Sequence, residues 1–171
     1  MSTLEKAKLI AVQKDAPDID FMFNPNQLKF SRQLNLNAAE GARTDQGLNK
    51  VSFANPSPCK LTISDIIFDT YESGGSVLTH IEKFEKAVSF AESGPGAKKR
   101  PPVYIFTWGK QQYLRCFVES LDYSLTMFLA DGTPVRAKVS VSLKEVDESF
   151  SKPGMDAPKS IDRQGGGRSS K

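Results

Sequence analysis

The chain has 171 residues and 39% hydrophobic residues, which is enough apolar material for one folded domain. Its net charge is +3, but residues 151–171 hold five basic and two acidic side chains, so residues 1–150 carry 18 of each sign. Because residues 1–150 have no net charge, the sequence does not indicate a nucleic-acid-binding protein. No segment has the roughly 18 consecutive apolar residues that a membrane span needs. Lys6 and Lys8 interrupt the first dozen residues, so we expect no secretion signal and synthesis in the cytosol.

The N-terminal third of the chain predicts short strands followed by a loop. Three apolar segments are candidate strands: residues 7–12, 21–23 and 28–36. Residues 37–50 contain Gly41 and Gly47 and almost no large apolar side chain, which predicts a loop of about a dozen residues. A loop of this length often takes part in binding, and Arg43 and Asp45 are the candidate contact residues within it.

The next strand is predicted over residues 59–68. Its apolar residues first follow one face, at Cys59, Leu61 and Ile63, and then change phase to Ile66 and Phe68. This change predicts a β-bulge or a strand that is covered on both faces. Cys59 and the second cysteine, Cys116, stand alone in apolar company, so we expect both to be buried and reduced rather than joined in a disulfide.

One helix is predicted after this strand. Five apolar residues at spacings of four and three form a single stripe: Val77, Ile81, Phe84, Val88 and Ala91. Ser76 is the predicted N-cap, and Gly94 with Pro95 is the predicted stop. The opposite face is charged, so we interpret this segment as a surface helix that lies on a sheet.

The C-terminal half of the body predicts three further strands. Residues 102–108 form a short buried strand that ends at Gly109, and residues 113–128 form a long strand or a pair of strands. A turn over residues 131–134 predicts antiparallel pairing of residues 121–129 with the strand that follows.

That last strand, over residues 134–146, alternates strictly between an apolar and a polar face. The apolar face consists of Val135, Ala137, Val139, Val141 and Leu143. The polar face consists of Arg136, Lys138, Ser140, Ser142 and Lys144. We therefore predict a mainly β fold, an antiparallel sandwich or small barrel with one inserted helix, over residues 1–150. Residues 151–171 are rich in Pro, Gly, Ser and charge and predict a flexible C-terminal tail.

Residues suited to catalysis or metal binding are sparse. His80 is the only histidine, and one imidazole cannot complete a triad or anchor a zinc site by itself. Asp69 and Glu72 could serve as general acid and base, but turns use such residues as well. Trp108 either packs at the end of its strand or stacks on a sugar, which would make the chain a carbohydrate-binding β-sandwich module. We expect no catalytic, cofactor-binding or metal site, and no enzymatic activity.

Five phrases carry a resemblance to a known family. They are FNPNQL (residues 23–28), VSFANPSP (51–58), FDTYE (68–72), RPPVYIFTWG (100–109) and FLADGTPVRAKVSVSLKE (128–145). In this order, and over about residues 5–148, they resemble the tube-domain family of contractile injection systems, the phage-tail-like particles of bacteria. The sequence looks more like the baseplate protein that joins the inner tube to the spike hub than like the repeated inner-tube subunit, which stays the alternative.

The resemblance implies a tube-type β-barrel whose six copies close into a hexameric ring. The implied partners are further copies of the chain, the inner-tube protein, the spike hub and other baseplate proteins, with no nucleic acid, no cofactor and no direct insertion into a membrane. The chain would be made in the cytoplasm and enter a particle that is membrane-anchored or released. Members of this branch often carry a lysin-motif domain after the tube domain; this sequence has the tail instead, so cell-wall binding is not expected.

In such a ring, the polar face of residues 134–146 would line the channel, although a face open to bulk water would have the same alternation. Two segments, FDTYE and the predicted loop over residues 37–50, are candidates for contacts between neighbouring subunits or stacked layers. The alternative is that FDTYE is an ordinary buried turn and residues 37–50 an ordinary loop. Their candidate residues are Asp69, Tyr71 and Glu72 in FDTYE, and Arg43 and Asp45 in the predicted loop.

We predict that deleting residues 152–171 leaves the thermal stability of the domain nearly unchanged, because only Met155 and Ile161 are sizeable apolar groups there. The expected fall in Tm, measured by circular dichroism, is less than about 2 °C. A larger fall would mean that the tail docks on the domain.

Overall fold

The computed structural model describes residues 3–12, 14, 16–43, 49–89 and 100–146, and for residues 36–43 and 49–55 the backbone alone. The described elements are, in chain order, β1 (Ala7–Ala11), β2 (Ile19–Asp20), β3 (Lys29–Ser31), β4 (Leu34–Arg43), β5 (Asn49–Pro56), β6 (Lys60–Asp69), α1 (Leu78–Val88), β7 (Val103–Trp108), β8 (Gln111–Phe128) and β9 (Pro134–Glu145). The tail and the predicted helix stop at Gly94 and Pro95 lie outside the described residues.

The described strands form one large antiparallel sheet and a separate ribbon. The large sheet has seven strands in the order β2-β1-β7-β8-β9-β6-β3, and β4 pairs with β5. The large sheet curls, since the ring of Phe30 on β3 contacts that of Tyr113 on β8, with centroids 6.1 Å apart, although β6 and β9 separate these strands in the sheet. This half-barrel, with one helix among the residues that the structure describes, confirms the predicted mainly β class.

The hairpin between β8 and β9 is formed as predicted. The Thr133 N–H donates to the Asp131 carboxylate at 3.0 Å, and the Leu129 N–H donates to the Thr133 carbonyl at 2.8 Å. Gly132 has a φ of +87°, a backbone conformation that glycine adopts without strain. The turn thus fixes the register in which β9 lies between β8 and β6.

The alternation of β9 is confirmed, with its five predicted apolar residues buried. Four of them, all but Val135, join one core cluster that also receives Ile81, Phe84 and Ala87 from α1. The ring of Phe84 lies 5.7 Å from that of Phe68 on β6. The helix therefore covers the inner face of the curled sheet, and the predicted surface helix on a sheet is confirmed.

The change of phase in β6 is a β-bulge. Pairing with β9 breaks between Ile63 and Ile66, and Asp65 has a φ of +56°. The extra residue returns Ile66 and Phe68 to the buried face, as the apolar pattern of the sequence requires.

Three boundary predictions in the N-terminal third are wrong. The segment predicted as a loop over residues 37–50 has strand backbone up to Arg43 in β4 and again from Asn49 in β5. These strands pair with each other rather than with the large sheet, so their sequence lacks the alternation of a buried strand. Residues 28–36 split into β3 and the start of β4. Residues 21–23 have no strand backbone. The ring of Phe21 nevertheless packs in the core, about 6 Å from the rings of Phe84 and Phe106.

The ends of the helix also differ from the prediction. Val88, expected in the apolar stripe, is 37% exposed, and Ala87 is buried in its place. The helix ends at Val88, and Ala91 lies outside the described residues. At the start, Val77 occupies the cap position, while the Ser76 hydroxyl accepts a hydrogen bond from the Leu78 N–H at 3.3 Å.

Both cysteines are buried and free, as expected. Of the helical residues that the structure describes, none belongs to a helix of the length and apolar character needed to cross a membrane.

Glu145 ties the end of β9 to two other segments. Its carboxylate accepts a hydrogen bond from the Cys59 N–H at 2.7 Å and one from Arg32 at 2.8 Å. We predict that Glu145→Ala destabilises the domain by about 1–3 kcal/mol, because it leaves a partly buried N–H without an acceptor. Urea unfolding measures this loss.

The matched control for this variant is Glu82→Ala on the exposed face of α1, which is expected to change stability by less than about 0.5 kcal/mol. Equal effects of the two substitutions would show that the contacts of Glu145 do not stabilise the fold.

Candidate functional site

The polar residues of β9 lie on the face of the sheet opposite the core. Arg136 and Lys138 are exposed, and Ser140, Ser142 and Lys144 are half-buried between the neighbouring strands. Cross-strand register extends this surface onto β6 and β8, because directly paired residues point to the same side. We call it the outer face. Its paired members are Lys60, Thr62, Ile67 and Asp69 of β6, Phe117, Ser120, Asp122, Ser124 and Met127 of β8, and the five polar residues of β9. The exposed Asp65 and Glu119, which lie at the register shifts of β6 and β8, complete it.

At one end of the outer face, a carboxylate bridges two ammonium groups. Glu119 lies 3.0 Å from the Lys60 Nζ and 3.7 Å from the Lys144 Nζ. The hydrogen bond from Lys60 is the main cause that lowers the pKa of Glu119 below its usual value. Since Lys60 and Lys144 are direct cross-strand partners, Glu119 relieves the repulsion of two like charges.

At the other end, Arg136 pairs with Asp69. The Arg136 Nη2 lies 2.6 Å from the Asp69 Oδ2, and its Nε donates to the same oxygen at 2.8 Å. The other carboxylate oxygen accepts the Tyr71 N–H at 3.0 Å. The pKa of Asp69 is lowered, first by the Tyr71 N–H and then by Arg136. Arg136 is one of the residues predicted to face the channel, and Asp69 is one of those predicted to contact neighbouring subunits or layers. The ion pair therefore places the two predicted surfaces next to each other.

Next to this ion pair lies an open cleft of about 560 Å³. Its lining residues are Met22, Phe23, Asp69, Thr70, Tyr71, Glu72, Ser73, His80 and Arg136, and we call it the FDTYE cleft. The side chains of Phe23 and Tyr71 are both 52% exposed, so two aromatic residues rim a polar floor. Partial exposure of large aromatic residues beside polar groups is typical of interaction surfaces.

The turn that forms the cleft is held by its own hydrogen bonds. The Thr70 hydroxyl donates to the Gly75 carbonyl at 2.6 Å, and the Ser73 hydroxyl donates to the Thr70 carbonyl at 2.9 Å. Gly74 has a φ of +68°, which lets the chain reverse into α1. Asp69, Tyr71 and Glu72 are therefore presented by a well-ordered turn, and the predicted contact residues of FDTYE lie together.

His80 lines the same cleft, but its surroundings are those of a packed residue. Its imidazole stacks on the ring of Phe68, with centroids 5.2 Å apart. Desolvation by burial is the main cause that lowers the pKa of His80, and the charge of Lys83 adds to it. A neutral imidazole stacked on a phenyl ring fits a structural role. Within the described ranges, no group of three His, Cys, Asp or Glu side chains could hold a metal ion.

Two other residues singled out in the sequence also have packing environments. The indole N–H of Trp108 donates to the Glu5 carbonyl at 3.2 Å, and its ring packs against the core. This geometry supports the packing interpretation of Trp108 over that of a sugar-stacking platform. Burial raises the pKa of the Cys116 thiol to about 12, which makes it unreactive as a nucleophile.

The positions of the predicted contact side chains of the second segment, Arg43 and Asp45, are not described by the structure. Arg43 ends β4, where the structure describes the backbone alone, and Asp45 lies outside the described residues. The sequence alone does not indicate that Phe23, the first residue of the phrase FNPNQL, lines the cleft, nor that Glu119 belongs to the outer face. The position of Glu119 beside Lys60 and Lys144 depends on a register shift between Val118 and Ser120, and no signal in the sequence located that shift.

The contacts of Asp69 predict how its carboxyl group titrates. A lowered folded-state pKa stabilises the fold above the ordinary value of 3.8, and this contribution is lost as pH falls through the folded pKa. In Arg136→Gln the pKa of Asp69, followed by NMR, should rise part of the way to 3.8, because the Tyr71 N–H remains. An unchanged pKa in this variant would show that the ion pair does not form in solution.

The comparisons with known proteins agree with this architecture. A search of curated proteins found no match. The family model described as "Contractile injection system tube protein" matches residues 3–152, which include every described strand and the helix. Because this match spans most of the sequence, the chain belongs to the contractile injection system tube protein family.

Proposed function

We propose that this chain forms a hexameric ring in the baseplate of a contractile injection system, where it joins the spike hub to the inner tube and templates tube assembly. The observation that carries the proposal is a tube-family sheet with a polar outer face and partly open edges. The chain would act by assembly alone, with no covalent chemistry. It would be made in the cytoplasm and leave it only as part of the particle.

The open edges supply a physical reason for assembly. On its outer side, β6 pairs with β3 only over Lys60–Thr62, so in the described part of the chain residues 63–68 have no strand beside them there. At the other end of the sheet, β2 pairs with β1 only at Lys8 and Leu9. Unpaired strand edges accept further strands. Copies that join side by side through opposite edges form a closed ring when the rotation between them closes.

The outer face suits the wall of a channel. In a ring built edge to edge, this face would continue from one copy to the next and line the bore with hydroxyl groups and paired charges. Such a wall holds water, and its apolar members are the three residues Ile67, Phe117 and Met127, so cargo can slide past it. The FDTYE cleft would then serve contacts between neighbours or stacked layers, which its exposed Phe23 and Tyr71 support.

A single adaptor ring is proposed over the many-copy inner tube because the five sequence phrases resemble the baseplate branch of the family. We expect electron microscopy of the purified protein to show six-fold rings, and particles to contain about one ring of this chain each. Many copies per particle would instead identify the inner-tube subunit, and a monomer that never enters particles would contradict both assignments.

A matched pair of variants tests the open edge. Ile67 on β6 and Leu78 on α1 are both 38% exposed, and only Ile67 lies on the open edge. We predict that Ile67→Lys prevents ring formation, because a charged residue on an edge strand blocks strand addition, while Leu78→Lys leaves rings intact. Both variants should keep a Tm close to that of the parent protein. Rings formed equally well by both would exclude this edge as the joining surface.

A further inference from the structure

The positive and negative charges of the outer face are interspersed and equal in number. The face carries four basic side chains, Lys60, Arg136, Lys138 and Lys144, and four acidic ones, Asp65, Asp69, Glu119 and Asp122. Arg136 is paired with Asp69, and the two lysines at the opposite end share Glu119. The Arg136 end is thus neutral, the lysine end has one positive charge in excess, and the middle, with Lys138, Asp65 and Asp122, has one negative charge in excess, so the whole face sums to zero.

Hydroxyl groups fill the middle of this surface. Ser140 lies opposite Asp122, and Ser142 lies opposite Ser120 on one side and Thr62 on the other. Lys138, which lies opposite Ser124, and Asp122 lie two positions apart across the strands, close enough for their charges to offset each other. No stretch of the outer face within the described strands presents one sign of charge alone.

This arrangement determines what a bore lined by the outer face can select. Fields from paired charges cancel beyond the pair, and at physiological ionic strength the remainder is screened within about 8 Å. A channel that concentrates a polyanion or a polycation needs unpaired charges of one sign along its wall. Resting on the ring proposed above, we infer that the channel carries polypeptide cargo of either net charge, without electrostatic selection.

Glu119 is the residue on which this neutrality can be tested. Removing its charge leaves Lys60 and Lys144 without their shared carboxylate, and a six-fold ring would repeat the change six times. The test uses assembled rings of the full chain, first checked by electron microscopy, and two fluorescent probes, a short oligoglutamate and a short oligolysine peptide. The matched control is Glu82→Gln, which removes the same charge from the exposed face of α1.

We expect parent rings to bind the two peptides weakly and within about threefold of each other at low salt. Glu119→Gln rings should bind oligoglutamate about tenfold more tightly, with the gain lost at physiological salt, while Glu82→Gln rings behave like the parent. Parent rings that prefer one peptide by about tenfold, or equal effects of the two variants, would overturn the inference but leave the ring intact. A parent protein that forms no rings would overturn the ring itself and the inference with it.

Discussion

The position of β9 between β6 and β8 is the constraint on which the rest of the domain depends. Because its side chains alternate, one register places five apolar residues in the core and five polar residues on the outer face, and a slip of one residue would exchange the two sets. The turn at residues 131–134 sets this register against β8, and the bulge at Asp65 keeps β6 in phase after its extra residue. The core and the candidate channel surface therefore have the same origin.

How far the sequence predicts this structure depends on whether an element packs against the core. The alternation of β9 and the apolar stripe of the helix through Ile81 and Phe84 could be predicted, because burial of one face imposes a regular spacing on the apolar residues. The ribbon of β4 and β5 carries no such regular spacing, since its strands pair with each other rather than with the large sheet, and its sequence therefore predicts a loop. The exposure of Val88 was misjudged because positions 87 and 88 lie next to each other on a helix, and only the packing in the folded domain decides which one faces the core.

The residues of the candidate site could be predicted from the sequence, but the contacts between them could not. Arg136 was assigned from the polar side of a strand, and Asp69 from a phrase shared with a family. Nothing local in the sequence indicated that the two would form an ion pair across 67 positions of the chain. Long-range pairing follows from sheet register, in which Asp69 and Arg136 are direct partners on β6 and β9.

The pairing of Asp69 with Arg136 would make the contact surface of the proposed ring rigid before a partner binds. Asp69 receives the Tyr71 N–H with one carboxylate oxygen and Arg136 with the other, so one residue anchors both the turn at the cleft and the edge of the polar face. In a ring, a partner seated in the FDTYE cleft would press on a turn that is already fixed by hydrogen bonds, so binding would cost little ordering entropy. The wall of the bore would keep its charge balance when neighbours or layers are added, because the carboxylate that neutralises Arg136 belongs to the same subunit.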